Sequence, residues 1–153
     1  MTENEISGIV IGAAIDVHRR LGPGLLESVY EACMYHELRQ RGLRTGRQVQ
    51  MPLMYDGVRL ECAYRADMVV EDTVILELKS VERLDPIHSA QLFTYLKLSG
   101  CKVGLVINFN VPLLKDGIKR VVYQFSPSWP GRPGPPIALR HSRARSHTPA
   151  TAP

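Results

Sequence analysis

Apolar residues in the first forty positions recur at three- and four-residue intervals, whereas later they alternate or bunch into short runs. Ile6, Ile9, Val10, Ala13, Ala14, Val17 and Leu21 mark one face of a helix predicted over residues 3–20, with Thr2 and Glu5 at capping-box spacing. Gly22-Pro23-Gly24 ends it. A second helix is predicted over residues 25–41, stopping at Gly42, with Glu27, Tyr30, Met34 and Leu38 on one stripe. An acid heading an apolar stripe points to the interior or to a cleft. As a first-turn residue Glu27 would equally complement the helix dipole, and on periodicity alone that is the simpler role.

The pattern then changes period. Residues 48–55 alternate and contain Pro52, which suits an edge strand, and Asp56-Gly57 is a hairpin signal. Residues 58–70 return as a long strand with room for a bulge, and residues 73–81 form the next. Asp85 as cap and Pro86 at the first helical position open a helix that runs to Ser99 and closes at Gly100. Residues 102–109 and 118–125 read as two more strands, joined by a loop containing Pro112 and Asp116-Gly117. The order α-α-β-β-β-α-β-β predicts an α/β fold, a mixed β-sheet flanked by helices.

Composition narrows the class. The chain has 153 residues, 44% hydrophobic and 22% charged, enough for one domain with a real core. Residues 127–153 hold seven of the eleven prolines and almost no aliphatic periodicity, so the expected division is a domain over 1–126 and a disordered Pro/Arg-rich tail. That tail carries Arg132, Arg140, Arg143 and Arg145 and no acid, leaving fifteen basic and fifteen acidic residues before it. The net charge of +4 is therefore a property of the tail, and the domain shows no broad basic surface. Cys33, Cys62 and Cys101 are odd in number and widely spaced, which fits thiols in a reducing compartment and argues against a disulfide framework or a zinc site. No apolar stretch is long enough to span a bilayer, and the first residues lack a secretory n-region, so a cytoplasmic location is expected.

Candidate chemistry lies where charge interrupts apolar strands. Asp67 closes a run before Met68-Val69-Val70, and Glu77-Leu78-Lys79 follows Val74-Ile75-Leu76. Buried charges are costly unless paired, metal-bound or chemically used. Glu77 and Lys79 share a face with Ile75. Asp67 joins them or not according to the hairpin register. A two-residue loop at Glu71-Asp72 pairs Val70 with Thr73 and puts Asp67 on the opposite face. A three-residue loop pairs Val70 with Val74 and sets Asp67 directly across from Glu77, with Cβ atoms about 4.5–5.5 Å apart. The three-residue register is the working expectation. Two carboxylates that close repel, and a divalent cation between them removes the penalty. An oxygen-only site with few ligands suits Mg²⁺ or Mn²⁺, with the Leu78 carbonyl as an extra ligand. Lys79 would then reach the developing charge on a phosphate. Ordinary Glu-x-Lys charges on a solvated strand face are the competing explanation.

The spacing Asp67 to Glu77-Leu78-Lys79 resembles the signature of PD-(D/E)XK nuclease-like proteins. Leu21-Gly22-Pro23-Gly24-Leu25-Leu26-Glu27-Ser28-Val29-Tyr30-Glu31 resembles the motif that names the GxxExxY family. Arg65-Ala66-Asp67, residues 91–96 and residues 104–109 also resemble blocks of that family, so the likeness covers roughly residues 6–125. Ala66 stands where the superfamily name has a proline.

The resemblance implies a restriction-endonuclease-like core, with Asp67 and Glu77 as metal ligands and Lys79 as the catalytic lysine. It also makes Glu27 a helix-borne acid beside the metal, and Gln91 a polar residue aimed at the site. Periodicity agrees for Gln91, which shares a stripe with Ile87, Tyr95 and Leu98; a buried glutamine satisfied by backbone is the alternative. His88 reads as a partly exposed helix residue, and Tyr30 and Tyr95 as core packing.

The implied activity is Mg²⁺-dependent hydrolysis of phosphodiester bonds in DNA or RNA by metal-activated water. The alternative is a catalytically silent nuclease-fold module that binds nucleic acid or a protein partner. Small nuclease domains often pair to cut both strands, which leaves homodimerisation open.

Overall fold

The computed structural model describes residues 1–124, and its elements follow the predicted order. Helices α1 (Glu3–Leu21) and α2 (Glu27–Gln40) precede strands β1 (Thr45–Tyr55), β2 (Val58–Val70) and β3 (Val74–Lys79). Helix α3 (Pro86–Ser99), strand β4 (Val103–Asn108), a 3₁₀ turn (Leu114–Gly117) and strand β5 (Ile118–Val122) complete the domain. The predicted tail lies outside the described residues. Among those residues no helix is long and apolar enough to cross a membrane, and Cys33 and Cys101 are free thiols.

The strands form one sheet in the order β1-β2-β3-β4-β5, antiparallel except for the parallel pair β3–β4. Only a crossover can join parallel neighbours, and α3 is that crossover. Helices α1 and α2 cover one face of the sheet, where Ile6, Val10, Tyr30 and Met34 meet Met68, Leu76, Leu78 and Leu105. Helix α3 covers the other with Leu92 and Leu96 against Val69, Ile75 and Val106. Pro52 lies in an edge strand as expected, and the β1–β2 register shifts beside it, between Met51 and Leu53.

Local chemistry accounts for the element ends. Thr2 and Glu5 form the capping box, and the Asp85 side chain accepts from the Ile87 N–H. Helix α2 starts two residues later than predicted because Tyr30 holds the preceding loop. Its hydroxyl donates to the Gly22 carbonyl (2.6 Å) and accepts from the Leu25 N–H (3.2 Å). Strand β3 ends at Lys79 rather than at residue 81. The Asn108 amide takes over both backbone groups of Val81, accepting from its N–H (3.1 Å) and donating to its carbonyl (2.9 Å).

The β2–β3 hairpin combines features of both candidate loops. The Thr73 N–H donates to the Val70 carbonyl (3.0 Å), as in a two-residue turn, with Glu71 and Asp72 both left-handed at φ 51° and 54°. The ladder nevertheless begins at Val70↔Val74 and runs through Val69↔Ile75 to Met68↔Leu76, which is the three-residue register. Arg44 holds the turn, its N–H and guanidinium both donating to the Glu71 carboxylate.

The predicted inward stripe of α3 is displaced by one residue. Leu92, Leu96 and Ser99 are buried, whereas Gln91 is exposed and Ile87 is 53% exposed. The reason is a close approach of the helix to β4: a Cβ on Gly104 would lie 2.7 Å from Leu92, so Leu92 seats directly over the glycine and sets the helix rotation. Gly104→Ala should therefore overpack this contact and lower stability by about 1–3 kcal/mol, read as a shifted denaturant midpoint. An unchanged midpoint would mean that Leu92 does not fix α3.

Candidate functional site

Beyond Met68↔Leu76 the β2–β3 ladder stops, while β3 continues beside β4 as far as Lys79↔Asn108. Asp67 is the first residue of β2 past that divergence, in line with Glu77. Its carboxylate replaces the lost strand partner: Oδ2 accepts the Leu78 N–H at 2.8 Å. The structure thus places Asp67 and Glu77 together at the point where the two strands part. Glu77 and Lys79 follow Ile75 on the α3 side, where Ile75 packs beneath the helix.

Glu77 is 8% exposed, and its Oε1 has no hydrogen-bond partner. Burial, and after it the negative charge of Asp67, pushes its carboxyl up to about 8, with Lys79 opposing. Asp67 is also raised, chiefly by burial; the Leu78 N–H and Lys79 pull it down, and Glu31 and Glu27 push it up. Tyr95 of α3 packs edge-on against Tyr64 at 5.0 Å, and its phenol is raised by burial and then by Glu77 and Asp67. A carboxylate pair with one buried oxygen unsatisfied is an uncompensated site.

A cleft of about 600 Å³ opens beside Asp67, between the start of α2 and the ends of β1, β2 and β3. Glu27, Glu31, Gln48, Arg65, Asp67 and Leu78 line it. Glu27 is exposed, and its Oε1 accepts the Ser80 N–H at 3.3 Å, which ties the head of α2 to the end of β3. Glu27 faces the cleft, not the interior.

Gln91 is exposed on α3 and does not line the cleft; Glu77 and Lys79 do not line it either, and Asp67 and Leu78 are what connect the cleft to Glu77. The expected inward orientation of Gln91 is overturned by the seating of Leu92 on Gly104. His88 is half-buried, with its Nδ1 lacking a partner. Tyr30 is fully buried and stacks on Phe109 at 4.4 Å, as core packing predicts.

Three cleft residues were not singled out by sequence reasoning. Glu31 lies one helical turn beyond Glu27, a spacing that puts both on one face and could have identified it. It is 8% exposed and accepts from Arg47 Nε (2.9 Å) and Gln48 Nε2 (2.7 Å). Arg65 stands two residues before Asp67, and both line the cleft. Gln48 had no signal in the sequence. It occupies β1 alongside Asp67, between the pairs Arg47↔Met68 and Val49↔Ala66, with φ at 49°. A left-handed glutamine inside a strand is strained by about 1–3 kcal/mol, and such residues gather at functional sites.

Among the described residues no group of three or more His, Cys, Asp or Glu side chains is gathered to hold a metal ion. The donor set nevertheless fits a hard cation such as Mg²⁺, which keeps several waters and needs only one or two protein carboxylates. Asp67 and Glu77 supply those, and the unpartnered Glu77 oxygen is one that a cation would satisfy.

The model of the PD-(D/E)XK nuclease superfamily matches residues 4–121. No curated protein matches the chain. A solved structure described as that of SSO0001 is 18% identical, with a TM-score of 0.47. The match covers 65% of this chain and 50% of that one, so the chain spans about half that protein's length.

The raised Glu77 carboxyl predicts a pH signature in metal-free protein. The folded state holds a proton on Glu77 that the unfolded state releases near 4.5, so stability falls as pH rises from that value toward about 8. Glu77→Gln imitates the protonated acid at every pH. In chelator, its melting temperature should exceed that of the native protein by a margin that widens from about pH 5 to about pH 8. A margin independent of pH would mean that Glu77 is already ionised in the fold.

Proposed function

Since the chain belongs to the PD-(D/E)XK nuclease superfamily, we propose that it is a metal-dependent phosphodiesterase acting on DNA or RNA at the cleft beside Asp67. The observation that carries this reading is the Asp67–Glu77 pair, in which a buried Glu77 oxygen has no partner among the described residues. A divalent cation held by Asp67, Glu77 and the Leu78 carbonyl would supply positive charge to the phosphate and an acidified water.

The chain's own groups do the rest. The Leu78 N–H fixes one Asp67 oxygen, so the carboxylate is oriented before substrate arrives. Lys79, whose charge is felt by both acids, offers its ammonium to the negative charge that develops on the phosphate oxygens as water attacks phosphorus. Glu27, on the facing wall and held by the Ser80 N–H, is placed to orient water in the cleft. Gln91 is exposed and takes no part in this reading.

With Mg²⁺ or Mn²⁺ the native protein should cleave at least one of single- and double-stranded DNA and RNA. Asp67→Asn and Lys79→Ala should each lower the rate by at least about a hundredfold. Equal cleavage by native protein and variants would assign the activity to a contaminant and remove this reading. Metal binding that is lost in Glu77→Gln, with no cleavage of any substrate, would identify a silent binding module instead.

A further inference from the structure

The cleft is lined by three acids and one cation. Of the acids, Glu31 is neutralised by Arg47 and Glu27 accepts a backbone N–H, while Asp67 faces Leu78. The cation is Arg65. Strands β1 and β2 carry two further arginines, and both are paired, Arg47 with Glu31 and Arg59 with Glu61. Arg65 forms no ion pair or hydrogen bond among the described residues, although it lines the same cleft as these acids. It is exposed, and it lines the cleft together with Asp67, two residues or roughly 7 Å away along β2.

A guanidinium presents a planar fork of donors matched to two phosphate oxygens, and it stays charged at any working pH. Asp67 does not take that fork: its Oδ2 accepts the Leu78 N–H, and no ion pair joins it to Arg65 among the described residues. We propose that Arg65 is a phosphate anchor: its unpaired guanidinium takes the phosphate of the nucleotide next to the one at Asp67, and so sets the path of the strand along β2. The inference rests on the cleft being a nucleic-acid site, as proposed above. It adds what holds a polyanion in a cleft whose other charged groups are acidic.

Fluorescence anisotropy with labelled single-stranded DNA and RNA oligonucleotides, calcium replacing magnesium, tests the anchor by binding alone. Arg65→Ala should bind the preferred oligonucleotide about tenfold more weakly, as expected for one charge-assisted contact, and lower the salt slope by about one. Arg65→Lys should keep the slope and lose part of the affinity, because it keeps the charge but not the fork. A single neutral methylphosphonate, moved along the oligonucleotide, should weaken native binding at one position and leave Arg65→Ala indifferent there. The melting temperature should not change, since Arg65 has no partner to lose.

Native-like affinity and salt slope in Arg65→Ala, or a methylphosphonate effect that persists in it, would overturn the anchor. So would absence of binding to any oligonucleotide. Arg65-dependent binding without cleavage would leave the anchor standing and remove the hydrolytic reading. Cleavage with unchanged KM in Arg65→Ala would do the reverse.

Discussion

Two carboxylates set side by side at the end of a ladder, Glu77 buried and Asp67 half-buried at the cleft, are the constraint around which this domain is arranged. Coulomb repulsion at such separations is screened weakly in an interior, and each charge also loses its hydration. The fold meets this cost in two different ways. Asp67 keeps a charge-accepting hydrogen bond from the Leu78 N–H, a group that the divergence of β2 and β3 leaves without a strand partner. Glu77 is more deeply buried, keeps one oxygen without a partner, and shifts toward its neutral form. The site is thus an asymmetric pair, one member held as an oriented acceptor and the other left with an unsatisfied oxygen.

That arrangement depends on helix α2 through a chain of small contacts. Tyr30 stacks flat on Phe109 directly after β4, and its hydroxyl clasps the loop from Gly22 to Leu25. The loop in turn takes the Ser80 hydroxyl on the Leu25 carbonyl, and Glu27 takes the Ser80 N–H. The residue just past β3 is therefore bound to the residues just before α2. A glycine, an acid and a tyrosine three residues apart make sense as one device. Gly24, at φ 96°, allows the bend, Tyr30 locks it against the core, and Glu27 is delivered to the cleft wall.

Much of this was legible in the sequence because it follows from short-range rules. Capping by Thr2 and Asp85, the helix stops at Gly22 and Gly100, and the order of elements rest on local chemistry that needs no partner. The hairpin register was decidable in principle but not from loop length alone. The turn closes over two residues, yet Thr73 is left over as a bulge, and Arg44 from the start of β1 braces it.

The errors have a common origin in tertiary packing. Gln91 shares its periodic stripe with Tyr95, but the rotation of α3 is decided by Leu92 fitting over Gly104, a contact that no periodicity contains. Gln48 was invisible for a similar reason. Its place at the cleft comes from a left-handed backbone and from a side-chain amide that donates to Glu31, a partner on α2 that no hydrophobic pattern in β1 contains.

The charge distribution of the cleft follows from the same geometry. Glu31 must be inside to hold Gln48 and Arg47, and Asp67 must be inside to cap the divergence, so acids accumulate there whatever the substrate. An acidic cleft repels a polyanion at the distances where a buried site is weakly screened. Binding of phosphate on the proposed reading therefore requires positive charge to be present first, at Asp67 and Glu77 or along β2. Cation and nucleic acid would then favour each other's binding by the same factor, as linkage demands. On that reading a domain whose charges balance, fifteen against fifteen before the tail, would gain affinity for a polyanion through such local pairing and not through a broad field.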